Sequence, residues 1–230
     1  MSTNGPKPYS KSAANLFRSK RLSYRAPSWP EDEDFFLARM LDTEAYANLY
    51  NGFLLPPSKR DLEGMKKWHE GCLLVAVICL PPPVPTDASA VVGSEAAKPI
   101  PIGAITLSGP SDMMFRHHRS TMIGLGIQQP YQNQGYGSEA IEWVLHWGFE
   151  MAGLHRIGIG AFGWNEGARR LYERMGFVPE GVKREALWFN GGWDDLYEFS
   201  MLEGEWRERR DRRLKQKQAE GRVETEGSKV

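Results

Sequence analysis

The apolar run at residues 72–80 ends on Pro81, Pro82 and Pro83, and no other stretch of this chain restricts its fold so tightly. A bilayer-spanning helix takes about 20 apolar residues, so this run is too short to be one. Residues 73–80, dominated by Val, Ile and Leu, instead predict a strand buried on both faces. The prolines cannot donate to a sheet ladder and stop it. A sheet covered on both faces needs helices, so the rest of the chain is expected to mix the two periods.

It does. A short strand at residues 22–25 leads through Pro27 and Pro30 into acidic residues 31–34 and then Phe35, Phe36 and Leu37, which predicts helices filling residues 31–50 and 58–70. After the buried strand come strands at 100–107 and 122–127. A helix follows at 137–152, with Ile141, Val144, Leu145, Gly148, Met151 and Ala152 on one face and Gly153 as its stop. Then come a strand at 156–162, a helix at 165–175 ended by Gly176, and a hairpin turning at Asn190, Gly191 and Gly192, with Tyr197, Phe199 and Met201 alternating on its final strand. This order describes an α/β (α+β) protein, a mixed sheet with helices on its faces. Residues 1–20 are expected as a flexible arm, 81–99 as a mobile Pro/Ala-rich insertion and 207–230 as a charged, solvated tail. One domain remains over residues 21–206.

Lys plus Arg number 29 and Asp plus Glu number 29, so bulk charge gives no support to nucleic acid as a partner. No basic start, apolar segment and small-residue cleavage site mark a secretory leader, and no membrane span is evident. The expected location is the cytoplasm, with the nucleus or an organelle as alternatives. Cys72 and Cys79, on or beside the buried strand, are expected as free buried thiols.

Between the strand at 122–127 and the helix from 137 lies Gln128-Gln129-Pro130-Tyr131-Gln132-Asn133-Gln134-Gly135-Tyr136-Gly137-Ser138. Glycines where a strand feeds a helix let main-chain N–H groups converge on an anion, and the helix terminus adds partial positive charge. For two glycines alone, a turn that merely relieves strain is the alternative. Gly135-Tyr136-Gly137-Ser138-Glu139-Ala140 also fits the dinucleotide pattern G-x-G-x-x-A. However, residues 128–134 separate it from its strand, and the next strand ends in Ala161-Phe162-Gly163-Trp164 without an acid to hold a ribose. Ser138 stands where a Walker lysine would be needed.

Gln132-Asn133-Gln134-Gly135-Tyr136-Gly137 resembles the pyrophosphate loop Q/R-x-x-G-x-G/A of the GNAT superfamily of N-acetyltransferases. Asn165-Glu166-Gly167-Ala168-Arg169-Arg170-Leu171-Tyr172-Glu173-Arg174-Met175-Gly176-Phe177 is similar to the superfamily's N-x-x-A-x-x-L-Y-x-x-x-G-F block, correctly spaced after the first. Arg184-Glu185, Asn190-Gly191, Asp195 and Glu205-Trp206 look like the branch acetylating ribosomal-protein N-termini and small amines. The resemblance covers about residues 20–206.

What it implies is specific. The sheet would be mostly antiparallel with about seven strands, and the cofactor would be acetyl-CoA, lying between the strands at 122–127 and 156–162. Gln132, Asn133, Gln134, Gly135, Tyr136, Gly137 and Ser138 would form the pyrophosphate loop, holding the ligand through the N–H groups of residues 133–138. Main-chain groups around Leu125 and Ile127 would pair with the pantetheine and polarise the thioester carbonyl. Asn165 would bond the cofactor arm, although a helix N-cap is an equal use for it. Tyr172, a phenol with an ordinary pKa of about 10, would be the general acid toward the departing thiolate, although beside Ala168, Leu171 and Met175 it reads equally as a core residue.

No base is legible. Where many relatives place a Glu before the loop, this chain has Thr121; His117, His118, Glu70 and Glu185 are substitutes, each as readily a solvated side chain. Presenting a neutral lysine amine at neutral pH costs about 4.6 kcal/mol and an N-terminal amine only about 1 kcal/mol. An N-terminal acceptor, or deprotonation through water, makes a dedicated base unnecessary. The sequence therefore reads as an acetyl-CoA-dependent N-acetyltransferase, monomeric or homodimeric, acting by direct transfer in a ternary complex. The acceptor would be a primary amine of a protein N-terminus, a lysine or a small molecule. An acyl-CoA-binding module without transferase activity and a nicotinamide enzyme are the alternatives. The acceptor pocket is expected from the helices in residues 31–70, the 109–120 loop and the 188–193 hairpin. Gly124 with Gly126, and Gly158 with Gly160, leave bare strand faces that admit a close-lying ligand or helix.

Overall fold

The computed structural model describes residues 16–50, 52–82, 98–108 and 117–227, with side chains described as far as residue 216. Most of the expected arm, most of the insertion at 81–99 and most of the 109–120 loop lie outside the described residues. The elements are β1 (Ser23–Arg25), α1 (Glu33–Leu41), α2 (Thr43–Ala47), α3 (Lys59–Glu70), β2 (Leu74–Leu80), β3 (Ile100–Ser108) and β4 (Ser120–Ile127). They continue with α4 (Tyr136–His146), β5 (Arg156–Phe162), α5 (Glu166–Arg174), β6 (Val178–Phe189), β7 (Gly192–Leu202) and α6 (Glu203–Gly227). The seven strands are hydrogen-bonded in the order β1-β2-β3-β4-β5-β7-β6. Pairing is antiparallel at β1–β2, β2–β3, β5–β7 and β6–β7 and parallel at β4–β5, the mixed and mostly antiparallel sheet that the sequence implies. The chain divides into two compact units, residues 1–111 with 124–147 and residues 112–123 with 148–230; β4 runs from the second into the first.

In the first unit, Ala76, Val77, Ile78 and Cys79 of β2 are all 3% exposed or less, so both faces of that strand are buried as its composition requires. Val77 and Cys79 share a core cluster with Phe35 and Phe36 of α1, Leu62 of α3 and Ala104 of β3. The helix expected over residues 31–50 is broken: Asp42 ends α1 and its Oδ1 accepts the Ala45 N–H at 3.1 Å, capping α2. A short carboxylate that can satisfy the next helix's orphan donor competes well with continued helix. Asp32, 4% exposed, accepts from Arg25 Nη1 and Nη2 at 2.6 and 2.7 Å and from the Ser28 N–H at 2.7 Å, and the Arg25 bond holds its carboxyl below the usual range. Residues at the end of the expected arm are held in place. Ser19 donates to Glu139 at 2.6 Å, and the Leu16 carbonyl accepts Trp143 Nε1–H at 2.7 Å, while the Trp143 ring stacks on Tyr24 with centroids 3.7 Å apart.

The apolar phase expected over 137–152, which begins in the first unit and ends in the second, does not persist to its end. A π turn at Trp147–Met151 follows α4, and because such a turn holds more residues than an α turn, Phe149 goes in against Trp206 and Met151 is left 53% exposed. The β6–β7 hairpin turns through Asn190 at φ 47° and Gly191 at φ 84°, the left-handed pair that suits a two-residue turn between twisted strands. Trp188 and Trp193 pair across it, edge to face, 5.1 Å between centroids and each 61% exposed. The tail begins as α6, tied to the π turn by an Arg210–Glu150 ion pair at 2.5 Å. Both cysteines are free, but only Cys79 is buried; Cys72 precedes β2 and is half-buried.

His69 Nδ1, in the first unit, is buried without a hydrogen-bond partner among the described residues, close to Trp29, Phe36 and Trp68. Burial, helped by the charge of Arg39, pulls its pKa down to about 4. The folded pKa lies below the unfolded value of about 6.5, so this group's contribution to stability is complete above that value and is lost as pH falls toward about 4. His69→Phe is expected to flatten the stability loss between about pH 7 and about pH 4.5, measured by urea unfolding at each pH.

Candidate active site

The strand-to-helix junction of the first unit is built almost entirely from main chain. Gln128 N–H donates to the Ile102 carbonyl at 2.9 Å, fixing the chain as it leaves β4, and a 3₁₀ turn follows at Gln129–Tyr131. Asn133 and Gly135 then adopt φ values of 58° and 79°, and α4 begins. Gly135 caps it, with the Glu139 N–H reaching the Gly135 carbonyl at 3.1 Å. The amides before Glu139 in the first turn have no acceptor within the helix. At φ 79° any side chain on residue 135 would be strained, whereas a Cβ on Gly137 would rest 3.6 Å from Leu125, an ordinary contact. The protein's own packing therefore gives no reason for glycine at 137.

Polar side chains brace this loop from within. Gln132 Nε2 donates to the Ile127 carbonyl and Gln134 Nε2 to the Pro130 carbonyl, each at 2.9 Å. Glu139, in the first turn of α4, accepts the Ser19 hydroxyl and the Arg21 N–H at 2.6 Å and Arg21 Nε at 2.7 Å. Burial pushes its carboxyl up, but these bonds outweigh it and the net shift is downward. Arg21 also donates to the Gln134 carbonyl at 2.9 Å and lies 4.5 Å from the Tyr136 ring centre. A guanidinium thus stands beside the residues that the sequence nominates for an anion.

The bare faces of β4 have an answer in the same unit. A Cβ on Gly126 would lie 2.6 Å from Arg39 Nη2 and 3.1 Å from Leu49, and one on Gly124 would lie 2.7 Å from Thr106 Oγ1. In the second unit Gly158 makes room for the Met122 side chain, while Gly160 has ordinary space around it.

Asn165 and Tyr172 both belong to α5 of the second unit. Asn165 Oδ1 accepts the Ala168 N–H at 3.1 Å, so it is the helix N-cap. Tyr172 is 8% exposed, with Phe177 and Phe199 at centroid distances of 6.0 and 5.9 Å, and burial pushes its phenol up to about 12. The parallel β4–β5 ladder runs from Ser120–Arg156 to Ile123–Ile159. Thr121 is buried, whereas Glu70, His117, His118 and Glu185 are all exposed. Among the described residues no group of His, Cys, Asp and Glu could hold a metal ion, and no helix is long and apolar enough to cross a membrane.

Residues 81–177, which contain this junction and α5, match the acetyltransferase (GNAT) family. The uncharacterised N-acetyltransferase YoaA of Bacillus subtilis is 38% identical over 89 residues, 39% of this chain and 50% of that protein. The spermidine N(1)-acetyltransferase of Vibrio cholerae is 30% identical over 89 residues, 39% of this chain and 51% of that protein. The chain thus spans about half the length of the curated relatives it matches. A crystal structure of the Vibrio cholerae spermidine N-acetyltransferase with CoA and spermine superposes with a TM-score of 0.64 over 82% of this chain and 99% of that one, at 22% identity, a likeness of fold.

Motif reading overlooked Arg21, Ser19 and Arg39. Glu139 sits inside the glycine pattern and Arg21 is the first residue after the expected arm, but nothing local announces that they meet. Glu139→Ala removes a carboxylate that accepts three hydrogen bonds and leaves Arg21 unpaired. We expect a loss of about 2 kcal/mol in urea unfolding, and Glu139→Gln, which keeps an acceptor oxygen, should lose less.

Proposed function

We propose that the protein is an acetyl-CoA-dependent N-acetyltransferase that moves an acetyl group to a primary amine by direct transfer in a ternary complex. The observation that carries this is the junction at 133–138: two left-handed residues lead into a helix start whose amides lack internal acceptors, with a guanidinium alongside. The fit to a diphosphate is chemical as well as geometric. Gly137 is left without a side chain although the surrounding protein would tolerate one, as a closely approaching ligand requires.

Acetyl-CoA supplies the activated acyl group. The amides of residues 133–138 hold the diphosphate, with Gln132 and Gln134 keeping the loop in shape through their bonds to Ile127 and Pro130. Main-chain groups at Leu125 and Ile127 lie on β4 beyond the last β5-paired residue, Ile123, and are the ones that pair with the pantetheine and face the thioester carbonyl. Asn165 keeps its capping bond through Oδ1, leaving its Nδ2 to donate to the cofactor arm. Tyr172 holds its proton at Oη throughout the neutral range because burial has raised its pKa, and it releases that proton to the thiolate as the carbon–sulfur bond breaks. The attacking amine gives up its own proton to solvent, which favours acceptors of low pKa such as an N-terminal amine.

Gly135→Val places a β-branched side chain at a left-handed φ, costing at least about 1–2 kcal/mol of local strain. It should abolish acetyl-CoA binding measured by calorimetry; undiminished binding would remove the loop from the site. Tyr172→Phe should lower kcat by about 100-fold with acetyl-CoA affinity unchanged, and the wild-type rate profile between about pH 6 and about pH 9 should show no limb from this phenol. The decisive assay is thiol release over a panel of amines and peptides with different first residues. Tight CoA binding with no turnover of any of them would make the protein a binding module instead.

A further inference from the structure

A pocket in the first unit is lined by Gly126 and Ile127 of β4 and by Arg39, Asp42, Tyr46 and Leu49 from α1, α2 and the turns after them. Its one guanidinium has no counter-ion among the described residues. Arg21, Arg25, Arg156 and Arg210 each pair with a carboxylate, whereas Arg39 makes no hydrogen bond or ion pair among the described residues. Its neighbours are the rings of Phe35 and Phe36, at 5.7 and 5.5 Å, and the Tyr46 phenol and His69 are ionisable groups that feel its charge. Asp42, the pocket's own carboxylate, is engaged by main chain, accepting the N–H groups of Ala45 at 3.1 Å and Gln129 at 3.4 Å. Burial pulls Arg39 down only to about 10, so it is a cation at neutral pH. Leaving a half-buried cation unpaired is costly unless something else completes it. The bare face at Gly126 leaves room for it, since a Cβ there would lie 2.6 Å from Arg39 Nη2, which would have to move.

We infer that Arg39 is a specificity residue that receives a carboxylate of the amine acceptor, so that the acceptors are amines carrying a nearby carboxylate and not polyamines. This rests on the proposed function, in which Leu125 and Ile127 carry the thioester arm and the Gly126 pocket lies beside it. A guanidinium binds a carboxylate through two parallel charge-assisted hydrogen bonds, whereas a polyamine would bring a second cation against an unpaired one. The carboxylate belongs either to a free amino acid or to an acidic side chain near a peptide's N-terminal amine.

Matched pairs separate these sources and test the claim: an amino acid against its amide, and a peptide beginning with Asp or Glu against its Asn or Gln counterpart, with spermidine as the cationic comparison. Each is read by thiol release and by the thermal shift it gives the protein alone. In at least one pair the carboxylate member should show a kcat/KM at least about tenfold above its amide and well above spermidine, and the winning pair identifies the source. The ratio should fall toward one in Arg39→Gln and be partly retained in Arg39→Lys. Equal turnover within pairs, or a preference that survives in a folded Arg39→Gln, overturns the inference and leaves the transferase reading standing. No turnover of any amine, with carboxylates still stabilising the wild type and not Arg39→Gln, supports the pocket and overturns the transferase reading. Should Arg39→Gln fail to fold by circular dichroism, the wild-type ratios and Arg39→Lys decide.

Discussion

A helix cannot satisfy the amides of its own first turn, and the candidate site of this protein is organised around that deficit. At the start of α4 those amides follow two residues in left-handed conformation, so the main chain presents donors where a helix dipole already favours negative charge. The arrangement would fail electrostatically if Glu139 in the same turn were left as a bare carboxylate, because it would repel the anion the amides attract. Arg21 prevents this, pairing with Glu139 and reaching the Gln134 carbonyl with another nitrogen. The segment before β1 thus sets both the shape and the charge of the junction.

The same unit shows how a buried sheet permits such a loop. β2 is covered on both faces, which fixes its register against β1 and β3, and β3 in turn anchors the exit of β4 through the Ile102–Gln128 bond. A loop held at its root by a backbone bond and braced by its own glutamines needs no bulky side chain to keep its form. Glycine at 126 has a complementary use: it opens the face of β4 to Arg39 and Leu49, so one bare position admits both a charged and an apolar neighbour.

Much of this was legible in the chain. Period-two and helical patterns located the five strands before the hairpin to within about two residues and placed α3 and α5 closely, because their composition records which faces are buried. The two GNAT motifs fall where a strand meets a helix and along α5, as their spacing requires. The misreadings have local physical causes. Asp42 splits one expected helix in two because its side chain satisfies the next helix's amide, and a π turn after His146 rotates Met151 out of an apolar stripe that looked continuous. Separately, the Gln132 and Gln134 side chains brace the loop by bonding the Ile127 and Pro130 carbonyls, a contact that no local pattern announces.

By itself the sequence determined which segments are strands and helices and which family its motifs resemble, since both are written in patterns of nearby residues. Only the tertiary structure decided which charges meet. Arg21 and Glu139 lie 118 residues apart, and Arg39 reaches Gly126 across a comparably long stretch of chain. Local periodicity records which face of an element is buried but not which distant side chain lies on it, so the pairing of one guanidinium and the isolation of the other emerge only when the elements pack.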